Sequence, residues 1–304
     1  MASRAISAGR GGGLLHTLSR HRWPYLFIAP WYLLYGGFML YPVVYSFWLS
    51  FQDWRGTRGT NFIGLTNYQN LIADDLFRQA LVNTLLIGLM YVPLMLFLAL
   101  LLAVVLNSAL LRLRTFFRAA IFAPYITSTV IMAMVFALIY NEQSGILNVL
   151  LRALHIPAVN WTGSTEWSKV SVAGLLLWHW TGYNMILMLA GLQTISPDLY
   201  EAASIDGGSA QQQFFRITVP MMRPVILFTA VLSTIGTFKI FNEPYVLTGG
   251  GPLNSSLTVL LYLYNQGFQA FKLGYAAALA YVVVGIVLVL SLAQFRLLRE
   301  TDDR

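Results

Sequence analysis

The sequence predicts an all-α membrane protein with six spanning helices, and three observations lead there. Of its 304 residues, 57% are hydrophobic and only 10% are charged, against roughly 25% charge in soluble domains. A single core surrounded by water could not hide that much apolar surface. Six segments reach the length of about 20 mostly apolar residues needed to cross hydrocarbon. Finally, arginines crowd one side of the membrane when the N-terminus is placed in the cytoplasm.

The first 23 residues form a basic tail, "MASRAISAGRGGGLLHTLSRHR" and Trp23. The first span is predicted at Pro24–Phe51, long enough to tilt. No small-residue cleavage site follows it at signal-peptide distance, so it is expected to be retained. The remaining spans are predicted at Ala80–Asn107, Thr115–Tyr140, Val170–Ile195, Pro224–Phe241 and Leu273–Leu298, giving a membrane domain over 24–298 and a tail over 299–304. In this orientation Arg4, Arg10, Arg20, Arg22, Arg112, Arg114, Arg118, Arg216, Arg223, Arg296, Arg299 and Arg304 lie inside. Arg55, Arg58, Arg78, Arg152, Lys169 and Lys272 lie outside. The net charge of +7 is therefore a topology signal and no argument for nucleic acid. Without cysteine, disulfides, thiolate metal sites and cysteine nucleophiles are excluded. No internal repeat is evident, which argues against inverted-repeat transporters.

The outer loops mix aromatics, glycines and asparagines and are expected to be ordered, with a short helix near Ile146–Leu154. After the glycine-rich turn of "LTGGGP", Leu257–Tyr264 is too short to span and is expected to form a short helix at the outer mouth.

Between spans four and five, on the cytoplasmic side, runs "EAASIDGGSAQQQFFRITVP". Ser196-Pro197-Asp198 is a helix start, with serine as cap and proline at the first helical position. Gly207 and Gly208 end that helix, Ser209 caps a second, and Pro220 and Pro224 are expected to break it before span five. The product is a helix–turn–helix elbow. Helices so short are marginal in water and call for a partner.

Glu201, Ala202, Ala203, Asp206, Gly207, Phe214, Ile217, Pro220 and Pro224 stand at fixed spacing in this stretch. The stretch resembles the EAA loop of permease subunits of binding-protein-dependent ABC importers, with Gly208 and Val219 in place of the usual Ala and Leu. "FIAPWYLLYGGFMLYPVVYSFWLSF", "FIGLTNYQNL", "NTLLIGL", "LAGLQTISPDLYEAA" and "YVLTGGGP" extend the likeness over nearly the whole chain. They resemble the carbohydrate branch, similar to maltose and glycerol-phosphate permeases. The resemblance implies the type I ABC importer permease fold in a bacterial inner membrane, with both termini cytoplasmic. It implies a second related permease, two ATP-binding subunits, a solute-binding protein outside, membrane lipid around the bundle and a carbohydrate cargo. The chain itself is then not an enzyme; ATP and Mg belong to the ATPase subunits. In that reading residues 197–220 form a coupling helix and turn. Glu201 offers a carboxylate to a basic residue of the ATPase, Ala202 and Ala203 allow close approach, Gly207 and Gly208 give the tight turn, and Asp206 is placed to cap it.

Polar and aromatic residues inside spans mark a substrate path by default. Span four carries "WHWTGYN", with His179, Trp180, Tyr183 and Asn184; span five carries "GTFKIFNEPYVL", with Phe238, Lys239, Asn242 and Glu243. Sugars take hydrogen-bonding groups together with aromatic faces, and both are present here. The resemblance to maltose-type permeases points to the same parts of the chain. Lys239 and Glu243 are four apart, so they are expected to share a helix face and could pair. His179 also reads as a core histidine, and Lys239 with Glu243 as a structural pair.

No phosphate-loop motif, no metal-spaced His/Asp/Glu cluster and no nucleophile in register with a base is found, so catalytic and metal residues are none. The competing readings are an ion-coupled secondary transporter using Lys239 and Glu243, a membrane-embedded enzyme, and a scaffold whose partner makes every substrate contact.

Overall fold

The computed structural model describes residues 22–56, 59–108 and 111–299. Most of the basic tail and residues 300–304 lie outside them. Helix α1 (Arg22–Tyr35) passes through a π turn at Gly36–Leu40 into α2 (Tyr41–Leu49). A two-stranded antiparallel ribbon follows, β1 (Gln52–Asp53) with β2 (Asn61–Phe62), and then α3 (Thr66–Ile72). The long α4 (Asp75–Asn107), α5 (Arg114–Ile126), α6 (Thr129–Ile139) and α7 (Ile146–Ala153) come next. After α8 (Trp167–Leu192) the elbow comprises α9 (Pro197–Ile205) and α10 (Ala210–Gln213). A π turn at Phe214–Thr218 leads into α11 (Val219–Thr237). The chain ends with α12 (Asn242–Leu247), α13 (Val259–Tyr264) and α14 (Leu273–Arg299).

Five helices are long and apolar enough to cross a membrane: Tyr25–Leu49, Asp75–Asn107, Trp167–Leu192, Ala210–Thr237 and Leu273–Arg296. The third predicted span, Thr115–Tyr140, is not one straight helix. α5 and α6 meet at 97°, and counting them as one span gives six. Pro124 removes a backbone donor near the end of α5, and Thr127 and Ser128 then take extended conformations. Broken backbone at membrane depth needs internal partners. Thr127 N–H donates to the Pro124 carbonyl at 3.2 Å, and Met132 N–H to Ser128 at 3.0 Å.

The prolines expected to break the elbow from span five do not. Ala210 to Thr237 is one helical run, with Pro220 in its second α turn segment and Pro224 inside. The π turn explains this: Val219 N–H reaches back to Phe214 instead of the residue four before it. The wider turn relieves the clash a proline ring makes with the preceding turn.

α4 and α8 form the central pair. On α4 the stripe Ile87, Tyr91, Met95, Ala99 and Ala103 recurs every four residues and is buried throughout, the spacing that keeps one helix face on its neighbour. It meets Val172, Leu175 and Leu176 toward the N-terminal end of α8, and Met185, Met188, Leu189 and Leu192 toward the C-terminal end. Helices approach this closely only where side chains are small. A Cβ at Gly182 would lie 2.0 Å from the Ile121 carbonyl oxygen, so glycine there admits the backbone of α5.

Polar side chains pin the end of the bundle at the start of α4. Asn67 donates to the carbonyls of Ser50 (2.9 Å) and Gln52 (3.0 Å). Asn83 on α4 donates to Asn254 (2.8 Å) and Leu257 (3.1 Å), and Val259 N–H donates to Thr84 Oγ1 at 3.0 Å. Asn148 on the short helix expected in this loop accepts from Val159 N–H and Trp161 Nε1, and donates to backbone carbonyls. Asp74 caps α4 with one carboxylate oxygen, accepting from Leu76 and Phe77 N–H. Its other oxygen accepts the hydroxyls of Tyr262 and Tyr275. Burial pushes Asp74 up, but these hydrogen bonds outweigh burial and hold it below the ordinary carboxylate range.

Candidate functional site: an elbow and an aromatic cavity

The elbow is built by local chemistry. Ser196 caps α9, accepting from Asp198 N–H at 3.3 Å, with Pro197 at the start. At the other end Gly207 adopts φ +80°, Gly207 N–H bonds Ser204 O at 3.1 Å, and Gly208 N–H bonds Ala203 O at 2.8 Å. This is a Schellman closure, which needs a left-handed residue and so favours glycine. Asp206 was expected to cap the turn. Its carboxylate makes no hydrogen bond among the described residues; the backbone closes the turn instead. Ser209 and Gln212 form a reciprocal capping box. Gln213 then ties the two helices, donating to Ser204 Oγ at 2.9 Å and to the Gly208 carbonyl at 3.2 Å.

α9 is two-faced. Tyr200 turns inward, packs beside Phe214 and Val219, and bonds Thr218 through its hydroxyl at 3.0 Å. Leu199, Ala202 and Ile205, spaced three apart on one helix face, are exposed, Ile205 to 86%. Glu201 is exposed beside them. The sequence reading missed this outward apolar stripe, although its spacing was legible.

The second feature is a cavity of about 240 Å³ between α4, α5, α8 and α11. α8 contributes Trp180, Tyr183 and Asn184; α4 contributes Tyr91 and Met95; α5 contributes Tyr125; and α11 contributes Leu232, Ser233 and Gly236. Tyr125 stacks on Tyr183 with ring centroids 4.6 Å apart and planes 24° apart, and lies 5.5 Å from Trp180. Asn184 is anchored by donating to the Trp180 carbonyl at 3.0 Å and to Met95 Sδ at 3.3 Å. Tyr91 bonds Thr237 Oγ1 at 2.9 Å.

Of the eight predicted path residues, this cavity gathers three. His179 is 2% exposed; it reaches the Pro124 carbonyl behind the bend, while its Nδ1 has no partner. Asn242 donates to Thr129 Oγ1 at 2.8 Å, joining the first turns of α12 and α6. Lys239 and Glu243 do not share a helix face or pair. α11 ends at Thr237, and α12 restarts at Asn242. Glu243 is buried against the backbone N–H groups of Phe241 and its own residue, whereas Lys239 is exposed. Phe238 and Lys239 line a separate apolar cleft of about 510 Å³ against α13 and α14. Among the described residues the ion pairs are Arg55–Asp53 and Arg78–Asp75. Tyr91, Tyr125, Ser233 and Gly236 escaped the sequence reading. A proline followed by hydroxyl residues inside an apolar run, "APYITST", was the available sign of a break beside Tyr125.

Residues 71–300 match the family described as the binding-protein-dependent transport system inner membrane component. The chain is 42% identical over 281 residues to the lactose transport system permease protein LacF of Rhizobium radiobacter, covering 91% of this chain and 94% of that protein. It is 39% identical over 283 residues to the arabinooligosaccharides transport system permease protein AraP of Bacillus subtilis, covering 90% and 88%. The fold is also that of a chain in the crystal structure of a bacterial ABC transporter that imports the acidic polysaccharide alginate. The TM-score is 0.82 at 22% identity, over 94% of this chain and 98% of that one.

Proposed function

The chain belongs to the family of inner membrane components of binding-protein-dependent transport systems, among its sugar permeases, and we propose that it couples ATP hydrolysis on separate subunits to sugar import. The observation that carries the coupling is α9. A capped, braced helix presents Leu199, Ala202 and Ile205 outward with no cover among the described residues. A short helix gains little by itself, and an exposed apolar stripe beside a carboxylate fits a groove on a partner. That partner is an ATPase subunit, with Glu201 facing a basic residue and the small Ala202 and Ala203 letting the surfaces close. Gly207 and Gly208 hold the turn, and Asp206 sits at its exposed rim. Force passes through Tyr200, Gln213 and the uninterrupted helix from Ala210 to Thr237 into the bundle. The termini and the 197–220 elbow lie in the cytoplasm.

A second permease completes the path, and a solute-binding protein delivers cargo from outside. A structural relative has been crystallised with a periplasmic protein carrying an alginate pentasaccharide. Trp180, Tyr183 and Asn184 form this chain's share of the sugar path. Phe238 and Lys239 flank it from just past the end of α11, and His179, Asn242 and Glu243 brace the two helix breaks beside it. Discontinuous helices mark the site in many transporters. The ion-coupled reading loses its pair, since Lys239 is exposed, Glu243 is buried, and the ion pairs among the described residues lie elsewhere.

The test is Glu201→Lys in the assembled transporter. Uptake and ATPase co-purification should fall at least about tenfold, the loss of roughly 1.4 kcal/mol of contact, with membrane insertion unchanged. Full uptake with normal ATPase association refutes the coupling role.

A further inference from the structure

Resting on the reading that the elbow faces the cytoplasm, we infer that the start of α5 is a binding surface for anionic phospholipid of the cytoplasmic leaflet. Arg112, Arg114 and Arg118 take the headgroup phosphate, and Leu113, Phe116 and Phe117 enter the boundary of the acyl chains.

Packing fixes the place. Leu106 at the end of α4 and Leu111 belong to the same core cluster as Ile195, Tyr200 and Phe214, so the connection from α4 to α5 lies at the elbow's end of the bundle. Arg112 and Arg114 are exposed there. Arg118 follows Arg114 by four residues, one turn on and on the same side of α5. Its Nη2 donates to the Leu106 carbonyl at 3.0 Å, satisfying one of the carbonyls left open at the end of α4. Its Nε is buried with no partner among the described residues.

Three positive charges within one short stretch favour a counter-charge, and the chain supplies none. No acidic residue lies between Asp75 and Glu142 in the sequence. The ion pairs among the described residues are elsewhere, at Arg55–Asp53 and Arg78–Asp75. The anion therefore comes from outside the chain.

The apolar neighbours identify its source. Leu113 is 72% exposed, Phe116 64% and Phe117 42%. The two phenylalanine rings meet edge to face with centroids 5.7 Å apart. At about 100° per residue, they leave α5 roughly 200° and 300° round from Arg114, so charge and apolar surface depart on different sides. A free phosphate ion would leave the rings uncovered. The headgroup level of a membrane meets both sets, with phosphate beside the arginines and hydrocarbon beside the rings. The cytoplasmic leaflet also carries the anionic lipid.

The experiment uses the complete transporter, ATPase subunits included, in detergent. Native mass spectrometry follows bound lipid as phosphatidylglycerol or phosphatidylcholine of identical chains is added. Phosphatidylglycerol should bind at least about tenfold more tightly, each arginine contributing about fivefold, and the preference should fall as salt rises. Arg112→Ala with Arg114→Ala should remove most of that preference. Arg112→Gln with Arg114→Gln gives the same test if the alanine pair fails to assemble. Phe116→Ala with Phe117→Ala should weaken both lipids. A preference absent in the wild type, or unmoved by the arginine changes or by salt, overturns the inference. So does displacement of the lipid by inorganic phosphate at equal concentration, which marks a free-anion site. Loss of ATPase co-purification from the arginine changes without added lipid overturns it too, by marking a protein contact. Lost preference with uptake intact counts against this inference alone; intact preference with no sugar uptake counts against the importer reading alone.

Discussion

Removing Asp74 should loosen the end of the bundle where α4, α13 and α14 meet, in a way that can be measured. Its carboxylate is shared by three elements: one oxygen caps α4, and the other accepts hydroxyls from Tyr262 on α13 and Tyr275 on α14. Loss of a cap costs about 1 kcal/mol. Each hydroxyl also loses a charged acceptor, worth about 1.5–3 kcal/mol. Asp74 is half-exposed at a pocket of about 530 Å³, so water can replace part of this. The net effect for Asp74→Ala is then roughly 2–4 kcal/mol, discounted for screening. At about 2–4 °C per kcal/mol for a chain of this size, thermal unfolding of the purified transporter should fall by roughly 5–15 °C. Asp74→Asn keeps the acceptor geometry and should lose about half as much. The pH dependence has a defined sign. The folded carboxylate titrates below its ordinary value, so its stabilisation is present above about pH 4 and is lost as pH falls through the folded value. Between pH 5 and pH 3 the wild-type midpoint should drop further than that of Asp74→Asn. A Tm for Asp74→Ala within 1 °C of wild type, at about the resolution of the method, or equal acid sensitivity in both proteins, would refute this account of the clasp.

Two further outcomes follow from packing. Gly182→Ala places a Cβ 2.0 Å from the Ile121 carbonyl oxygen; relief by backbone movement costs about 1–3 kcal/mol. It also pushes α5, with Tyr125, away from α8, so a lower Tm should accompany weakened sugar binding by tryptophan fluorescence. Asn148→Ala removes a fully buried side chain and strands the Val159 N–H and the Trp161 indole in a partly buried place. At up to about 1 kcal/mol for each orphaned, partly buried group, it should lower the unfolding midpoint and raise protease sensitivity between residues 141 and 167.

Much of this molecule is written locally. Apolar length and low charge determine the spans, because hydrocarbon rewards any run long enough to cross it. The elbow's ends are local too: Ser196, Pro197, Gly207 and Ser209 act on backbone groups within a few residues, so their roles could be read without a fold. Three cavity-lining residues were legible for a related reason. Trp180, Tyr183 and Asn184 recur at helical spacing and must share one side of α8.

Only the tertiary structure decided the rest. Whether Pro124 breaks its helix while Pro220 and Pro224 do not depends on partners that satisfy the backbone. His179 and Asn242 come from 55 and 113 residues away to brace the first break, whereas a π turn absorbs the other strain inside its own helix. That break sends Tyr125 to meet α8, and the end of α11 at Thr237 sends Lys239 and Glu243 to different surroundings. Periodicity can place a side chain on a helix face, but it cannot say where the helix stops or which distant chain will face it.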